Sequence, residues 1–251
     1  MNDPGLLPAK LKPSDLSAAI KTGWAIYSKV PVPSTAYASV ATLIGLILLY
    51  MVGELGFSPM SIPFAGGFML VAPAMLTGFF QLAFNVTQEQ KVGVSTPFAA
   101  FLRTPLQTWL VALFCAFMFL IWITDAGVLY SFIIGGGHLP YELPWLLKAN
   151  ENIASFWMWG ALMGAVLAFI IFCVSAFSVP ILFENRGNMV QAVHASVRAV
   201  FKNFFTTMLW AGLLSFTIII AILLLPLLLL VLPVMAYASF ALYRTAFPTA
   251  K

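Results

Sequence analysis

The chain has 251 residues, of which 62% are apolar and only 8% charged; twelve basic side chains face eight acidic ones for a net charge of +4. Soluble domains carry about 25% charged residues, so a water-soluble globule is excluded, and with it the reading of the basic surplus as a nucleic-acid surface. Cys115 and Cys173 lie in apolar runs without CxxC or Cys/His spacing and read as small buried hydrophobes, not as redox or metal groups.

Residues 1–30 hold Lys10, Lys12, Lys21 and Lys29 and no compact apolar stretch, so no cleaved signal peptide is expected and the apolar run from Ser34 is read as a retained anchor. Within this segment, "PSDLSAAIKTGWAIYSKV" repeats Leu16, Ile20, Trp24 and Tyr27 at helical spacing, with Ser14 or Asp15 as the cap. Apolar runs of spanning length follow at 34–53, 62–86, 105–124 and 153–182. A second, weaker amphipathic stretch, "TPFAAFLRTPLQTW", precedes the third run. Another, "NMVQAVHASVRAVFKN", places Val190, Val193, Val197, Val200 and Phe201 opposite Gln191, His194, Arg198 and Lys202. Basic amphipathic helices of this kind lie in the headgroup plane.

No charged side chain occurs between Lys202 and Arg244. One helix of that length would run roughly 60 Å at about 1.5 Å per residue, twice the roughly 30 Å hydrocarbon core of a bilayer. A turn at Leu225-Pro226 divides it into two spans, because proline lacks an amide hydrogen and biases its predecessor away from helix. One long kinked helix with a re-entrant end is the alternative.

The basic residues choose between them. Lys10, Lys12, Lys21, Lys29, Lys91, Arg103, Arg186, Arg198 and Lys202 fall in segments on one side, and Lys148 alone falls on the other. Positive loops stay cytoplasmic, and a doubled-back tail adds Arg244 and Lys251 to that side. The predicted fold is therefore all-α: a polytopic membrane bundle of about six transmembrane helices in three hairpins, each preceded by a cytoplasmic amphipathic helix. It forms a single membrane domain, 1–251, with pseudo-repeats at about 13–86, 95–186 and 188–246 and a proline (Pro73, Pro180, Pro233) in the second span of each. Both termini are expected in the cytoplasm of a bacterium, with the chain in its inner membrane.

Few residues offer chemistry. Glu54 and Asp125 sit at the outer ends of spans and read as interfacial carboxylates, and no lysine, arginine or histidine falls at mid-depth. Gln81, Asn85 and Gln107 lie close to the cytoplasmic ends. His138 and His194 are predicted on opposite faces of the membrane and cannot share a metal. The outer loop, about 125–152, brings Tyr141 and Trp145 to the membrane surface or to a docking partner. Gly160 with Gly164, and Ala74 with Gly78, have the four-residue spacing that lets helices approach closely, within this chain or in a homo-oligomer. Paired carboxylates, a Ser/His/Asp arrangement and metal-ligand spacing are all lacking, so no catalytic residue, cofactor or metal is predicted.

Gly23-Trp24, Pro73 with Gly78, "FSVPILFE", Ala192/Ser196/Asn203 and the closing Pro233 with Tyr243-Arg244 together resemble the DUF2189 family of proteobacterial integral membrane proteins. That resemblance implies a six-span inner-membrane protein. Genes of the family lie near those of cytochrome c oxidase and other respiratory components, which implies an accessory or assembly role beside other integral membrane proteins. The family's closing segment carries histidines where this chain reads "PVMAYASFALYR", so haem or copper handling is not implied here. A transporter of small molecules or lipids is the competing expectation, with proline-broken second helices lining a cavity between the hairpins.

Overall fold

The structure is a computed structural model that describes residues 6–53, 61–133 and 151–248. Every long element among them is helical: α1 (Pro13–Lys29), α2 (Pro31–Gly53), α3 (Ser61–Thr87), α4 (Ser95–Leu102), α5 (Leu106–Ile133), α6 (Glu151–Ser175), α7 (Ser178–Phe183), α8 (Met189–Lys202), α9 (Phe204–Leu223) and α10 (Leu228–Ala246). Four stretches among the described residues are long and apolar enough to cross a membrane: Leu106–Ile133, Ala154–Phe183, Phe204–Ala221 and Leu228–Ala246. The pair Pro13–Lys29 and Pro31–Ile47, bent by 104°, makes a fifth if taken as one span.

The charge-free tail is two helices. Between α9 and α10 lies a short 3-10 turn, Leu225–Leu227, at the expected Leu225-Pro226 position. The far ends of the two helices come back together: the Ala9 amide donates to Ala246 O at 2.7 Å, and Asn203 Nδ2 donates to Ala9 O at 3.0 Å. A single kinked helix would hold Asn203 and Ala246 far apart, so the pair is an antiparallel hairpin.

The residue ahead of α1 is Lys12, so both Ser14 and Asp15, the expected caps, lie inside the helix. Pro13 takes the first helical position, where its missing amide hydrogen is harmless, and Asp15 reaches back to accept the Lys12 amide at 2.8 Å. The helix runs antiparallel to the second half of α10, and its buried residues are Leu16, Ala19, Gly23 and Ile26. That stripe differs from the one expected from large side chains: Trp24 is exposed, and Ile20 and Tyr27 are half-buried. Small residues form the contact because the two backbones come so close. A Cβ on Gly23 would fall 2.5 Å from Val234 O.

The same correction applies to α8. Its buried residues are Ala192, Ala195, Ser196, Ala199 and Val200, while Val190 and Phe201 stay exposed. Asn188 caps the helix, accepting from the Gln191 amide at 2.9 Å while Gln191 Oε1 accepts from the Asn188 amide at 3.0 Å.

The three second-span prolines do not act alike. Pro73 and Pro233 lie inside continuous helices, whereas the chain breaks between α6 and α7 just ahead of Pro180. At that break the Phe177 amide no longer bonds Cys173 O, and Ser196 of α8 satisfies both groups. Its Oγ accepts from Phe177 N at 3.1 Å and donates to Cys173 O at 2.7 Å.

Helix α5 continues to Ile133, eight residues past Asp125, so the outer loop does not begin at Asp125 as expected. The run "AGVLYSFI" contains no proline and only one glycine to stop it. Glu54, His138, Tyr141 and Trp145 lie outside the described residues.

Candidate functional site

One end of the bundle gathers the polar chemistry. Helix ends and the segment ahead of α1 meet there: residues 8–11, the close of α3, α7, the start of α9 and the close of α10. Asn203, the residue joining α8 to α9, is buried and fully engaged. Its Oδ1 accepts from the Leu11 amide at 2.7 Å, and its Nδ2 donates to Ala9 O at 3.0 Å and Ala199 O at 3.2 Å. Lys202 Nζ adds a bond to Pro8 O, and Thr206 Oγ1 donates to Leu11 O at 3.4 Å. Replacing Asn203 with Leu should strand the Leu11 amide and free residues 8–11. A loss of about 2 kcal/mol is expected, read as faster proteolytic trimming of the N-terminal segment and a lower melting temperature in mild detergent.

Beside this clamp sits an ion-pair cluster. Helix α7 ends in a tight turn in which the Arg186 amide donates to Ile181 O at 3.1 Å and the Asn185 amide to Leu182 O at 3.1 Å. Asn185 occupies the left-handed position with φ 53°, which asparagine tolerates better than most residues. The turn points Glu184 at α10, and its side chain keeps only 10% exposure. Arg244 approaches Oε1 through Nη2 at 2.8 Å and Nε at 3.2 Å, and the Tyr243 hydroxyl donates to Oε2 at 2.8 Å. Arg186 Nη1 donates to the Tyr243 hydroxyl at 3.1 Å and to Phe247 O at 2.7 Å. The Arg244 guanidinium also lies over the Phe240 ring, 4.7 Å from its centroid. Such a cluster fixes the turn after α7 against α10. A carboxylate held by two guanidinium groups and a phenol is a structural tie, not an exposed nucleophile or base.

Two clefts open beside the cluster, of about 490 and 720 Å³. Both are lined by Gln81, Phe183 and Asn185; one adds Ser95, Thr96 and Arg103, and the other adds Gln88, Glu184, Arg186 and Arg244. Gln81 is fixed by donating to Asn85 Oδ1 at 2.7 Å.

Deeper in the bundle the character changes. A cavity of about 330 Å³ lies between α3, α5, α6, α7, α9 and α10, walled by residues such as Pro73, Phe79, Cys115, Phe172, Trp210 and Leu232. Among the described residues that line it, the hydroxyls are those of Ser175 and Ser239, which donate to carbonyls of their own helices at 2.7 and 2.8 Å. A groove of about 670 Å³ runs between α5, α6 and α9, lined by Phe119, Trp122, Gly164, Phe169, Met208 and Gly212 among others.

The residues singled out for helix packing fall into this frame. Ala74 is buried, and Gly78 lies under the Tyr37 ring of α2, whose hydroxyl donates to Met75 O at 3.1 Å. Gly164 faces the Trp122 indole of α5, with a Cβ position 2.9 Å from Nε1, whereas Gly160 has only Leu129 near it, at 3.9 Å. Asp125 is half-buried in the second half of α5. His194 is exposed on α8. Sequence reasoning did not single out Glu184, Arg186, Tyr243 or Asn203 as an assembly. The available signal was that Glu184, Tyr243-Arg244 and Asn203 all belong to the motifs carrying the family resemblance.

A family model described as "Predicted integral membrane protein (DUF2189)" matches residues 61–184, from the first residue of α3 through Glu184. Pro73, Gly78 and "FSVPILFE" fall inside the match, so the resemblance drawn from those motifs holds over this stretch. No curated protein and no solved structure matches the chain.

Proposed function

We propose, on the premise that this chain is an integral membrane protein resembling that family, that it is a non-catalytic accessory subunit or assembly factor. It would pack against a larger complex of the respiratory, cytochrome oxidase type in the bacterial inner membrane. The observation that carries this reading is the open groove between α5, α6 and α9. Helices α6 and α9 touch through Phe169 and Phe204, with ring centroids 6.1 Å apart, yet leave about 670 Å³ unfilled alongside. Exposed Trp122, Trp159 and Phe216 stand on the same three helices. Small residues along it, Ala165, Ala211 and Gly212, suit close approach by a partner's helix.

The topology that goes with this reading has six spans. Helices α2 and α3, both free of charged side chains over Pro31–Gly53 and Ser61–Thr87, join the four long apolar stretches. Short helices α4 and α8 precede the second and third hairpins and lie at the cytoplasmic headgroups, whereas α1, ahead of the first, packs along α10 instead of lying flat. The gathering of Lys10, Lys202, Arg186 and Arg244 at one end supports a cytoplasmic position for both termini.

Affinity purification from native membranes in mild detergent tests the role. Co-purification of oxidase or another respiratory complex above background is expected, and a protein that runs alone overturns the proposal. A second reading, a carrier of lipids or small apolar molecules, is favoured by the apolar cavity of about 330 Å³. Acceleration of lipid exchange between liposomes by the reconstituted protein would support that reading instead.

A further inference from the structure

We propose that the paired clefts beside α7 form a binding site for a phosphate group, supplied by the head of an anionic phospholipid or by a soluble phosphate. The two clefts are neighbours on either side of Gln81, Phe183 and Asn185, which line both. Among the described residues, three guanidinium groups, those of Arg103, Arg186 and Arg244, line the pair of clefts with one carboxylate, that of Glu184. The formal surplus is therefore two positive charges.

That surplus is not spread evenly. Arg244 is held by Glu184 at 2.8 Å, and Arg186 is directed to Tyr243 and Phe247. These two act mainly through their field. Arg103, exposed at the close of α4, stands at the opposite wall beside the Ser95 and Thr96 hydroxyls and the Gln81 amide, while the Thr104 hydroxyl there is taken by Thr77 and Ala100 O. A planar guanidinium with neighbouring hydroxyl and amide donors matches the oxygens of a phosphate, whereas a zwitterionic headgroup would bring its own cation into an already positive depression.

Position supports the same ligand. The cleft opens at the end of the bundle where the basic residues collect, the level at which headgroup phosphates lie and where each lysine or arginine adds attraction to an anionic surface. Below it, Phe80, Phe183 and Phe240 pack ring against ring, with centroids 5.0 to 5.9 Å apart, and separate the cleft from the apolar cavity. The site therefore takes a headgroup from the surface without opening a path through the bundle.

The test uses the full-length protein, delipidated in a neutral detergent and followed by its melting temperature. Phosphatidylglycerol in mixed micelles, phosphatidylcholine in mixed micelles, and inorganic phosphate are titrated separately against wild type, Arg103→Gln, and Lys91→Gln, an exposed basic residue that does not line the clefts. Stabilisation by phosphatidylglycerol but not phosphatidylcholine, weakened about tenfold in apparent affinity by Arg103→Gln and unchanged by Lys91→Gln, is the expected result. The same pattern with inorganic phosphate assigns the site to a soluble ligand. Equal response of Arg103→Gln and wild type, or no response to either anion, overturns the proposal.

Discussion

Glu184→Gln should lower stability by about 2–3 kcal/mol, seen as a fall of roughly 5–10 °C in the melting temperature of the detergent-purified protein. The substitution keeps the shape of the side chain and removes its charge. Arg244, Arg186 and the Tyr243 hydroxyl then face a neutral amide at the positions where they now meet a carboxylate at 2.8, 4.0 and 2.8 Å. Breaking one side of a mostly buried pair costs more than the pair contributes, because the remaining charge stays desolvated. Arg244 is 32% exposed, which places the expectation at the lower end of the range for buried pairs. Arg244→Met should cost less, since Glu184 retains Tyr243 and Arg186. Combining both changes should recover part of the loss, and a double-mutant cycle with no coupling between them would show that the cluster does not tie α7 to α10.

Gly23→Ala tests a different kind of contact. A methyl group there would fall 2.5 Å from Val234 O and 2.9 Å from Ala238 N, both backbone atoms of α10. Neither atom can move without shifting the helix, so α1 must lift away from the partner it follows along most of its length. About 3 kcal/mol is expected, at the upper end for overpacking, and measurable as a lower melting temperature. Gly78→Ala is the control. Its nearest obstacle is the Tyr37 ring at 2.5 Å, a side chain that can be truncated. Tyr37→Leu should relieve Gly78→Ala and leave Gly23→Ala uncorrected; relief of both, or of neither, would mean that the close approaches are not what limits stability.

These two sites bear on the proposed role in different ways. The Glu184 cluster and the α1–α10 contact make the basic end of the bundle rigid. The α5–α6–α9 side keeps a groove and large exposed apolar residues such as Phe117, Phe216 and Ile219. A rigid end with an open intramembrane flank suits a protein that offers a surface to another membrane protein. The hydroxyls of the interior cavity are already bonded to their own helices, which makes it a poor route for a polar solute.

Most of the helices were legible in the chain itself. Long apolar runs must satisfy their backbone groups internally, so runs near 105–124, 153–182 and 204–245 had to be helical, and Pro226 was the expected point of division in the last of them. That 13–29 and 189–202 are helical was also visible, but their buried faces were not. Spacing rules rank large side chains as the packing stripe, whereas Gly23, Ala19, Ala195 and Ala199 make the contacts because small residues permit the closest backbone approach. The extension of α5 past Asp125 escaped notice for a related reason: a single carboxylate marks a change of polarity, not the end of a hydrogen-bonded helix.

Sequence alone therefore determined that this chain is a helical membrane protein, since that follows from local composition and the thickness of a bilayer, and proline chemistry with the placing of the basic residues favoured a tail that doubles back over one kinked helix. Only the tertiary structure decided that Glu184, Arg186, Tyr243 and Arg244 meet, that Asn203 holds residues 9 and 11, and that Ser196 repairs the break before Pro180. Those partners stand between 19 and 194 residues apart in the chain. No periodicity reports a pairing over such separations, because it is set by how the helices pack and not by anything local to either residue.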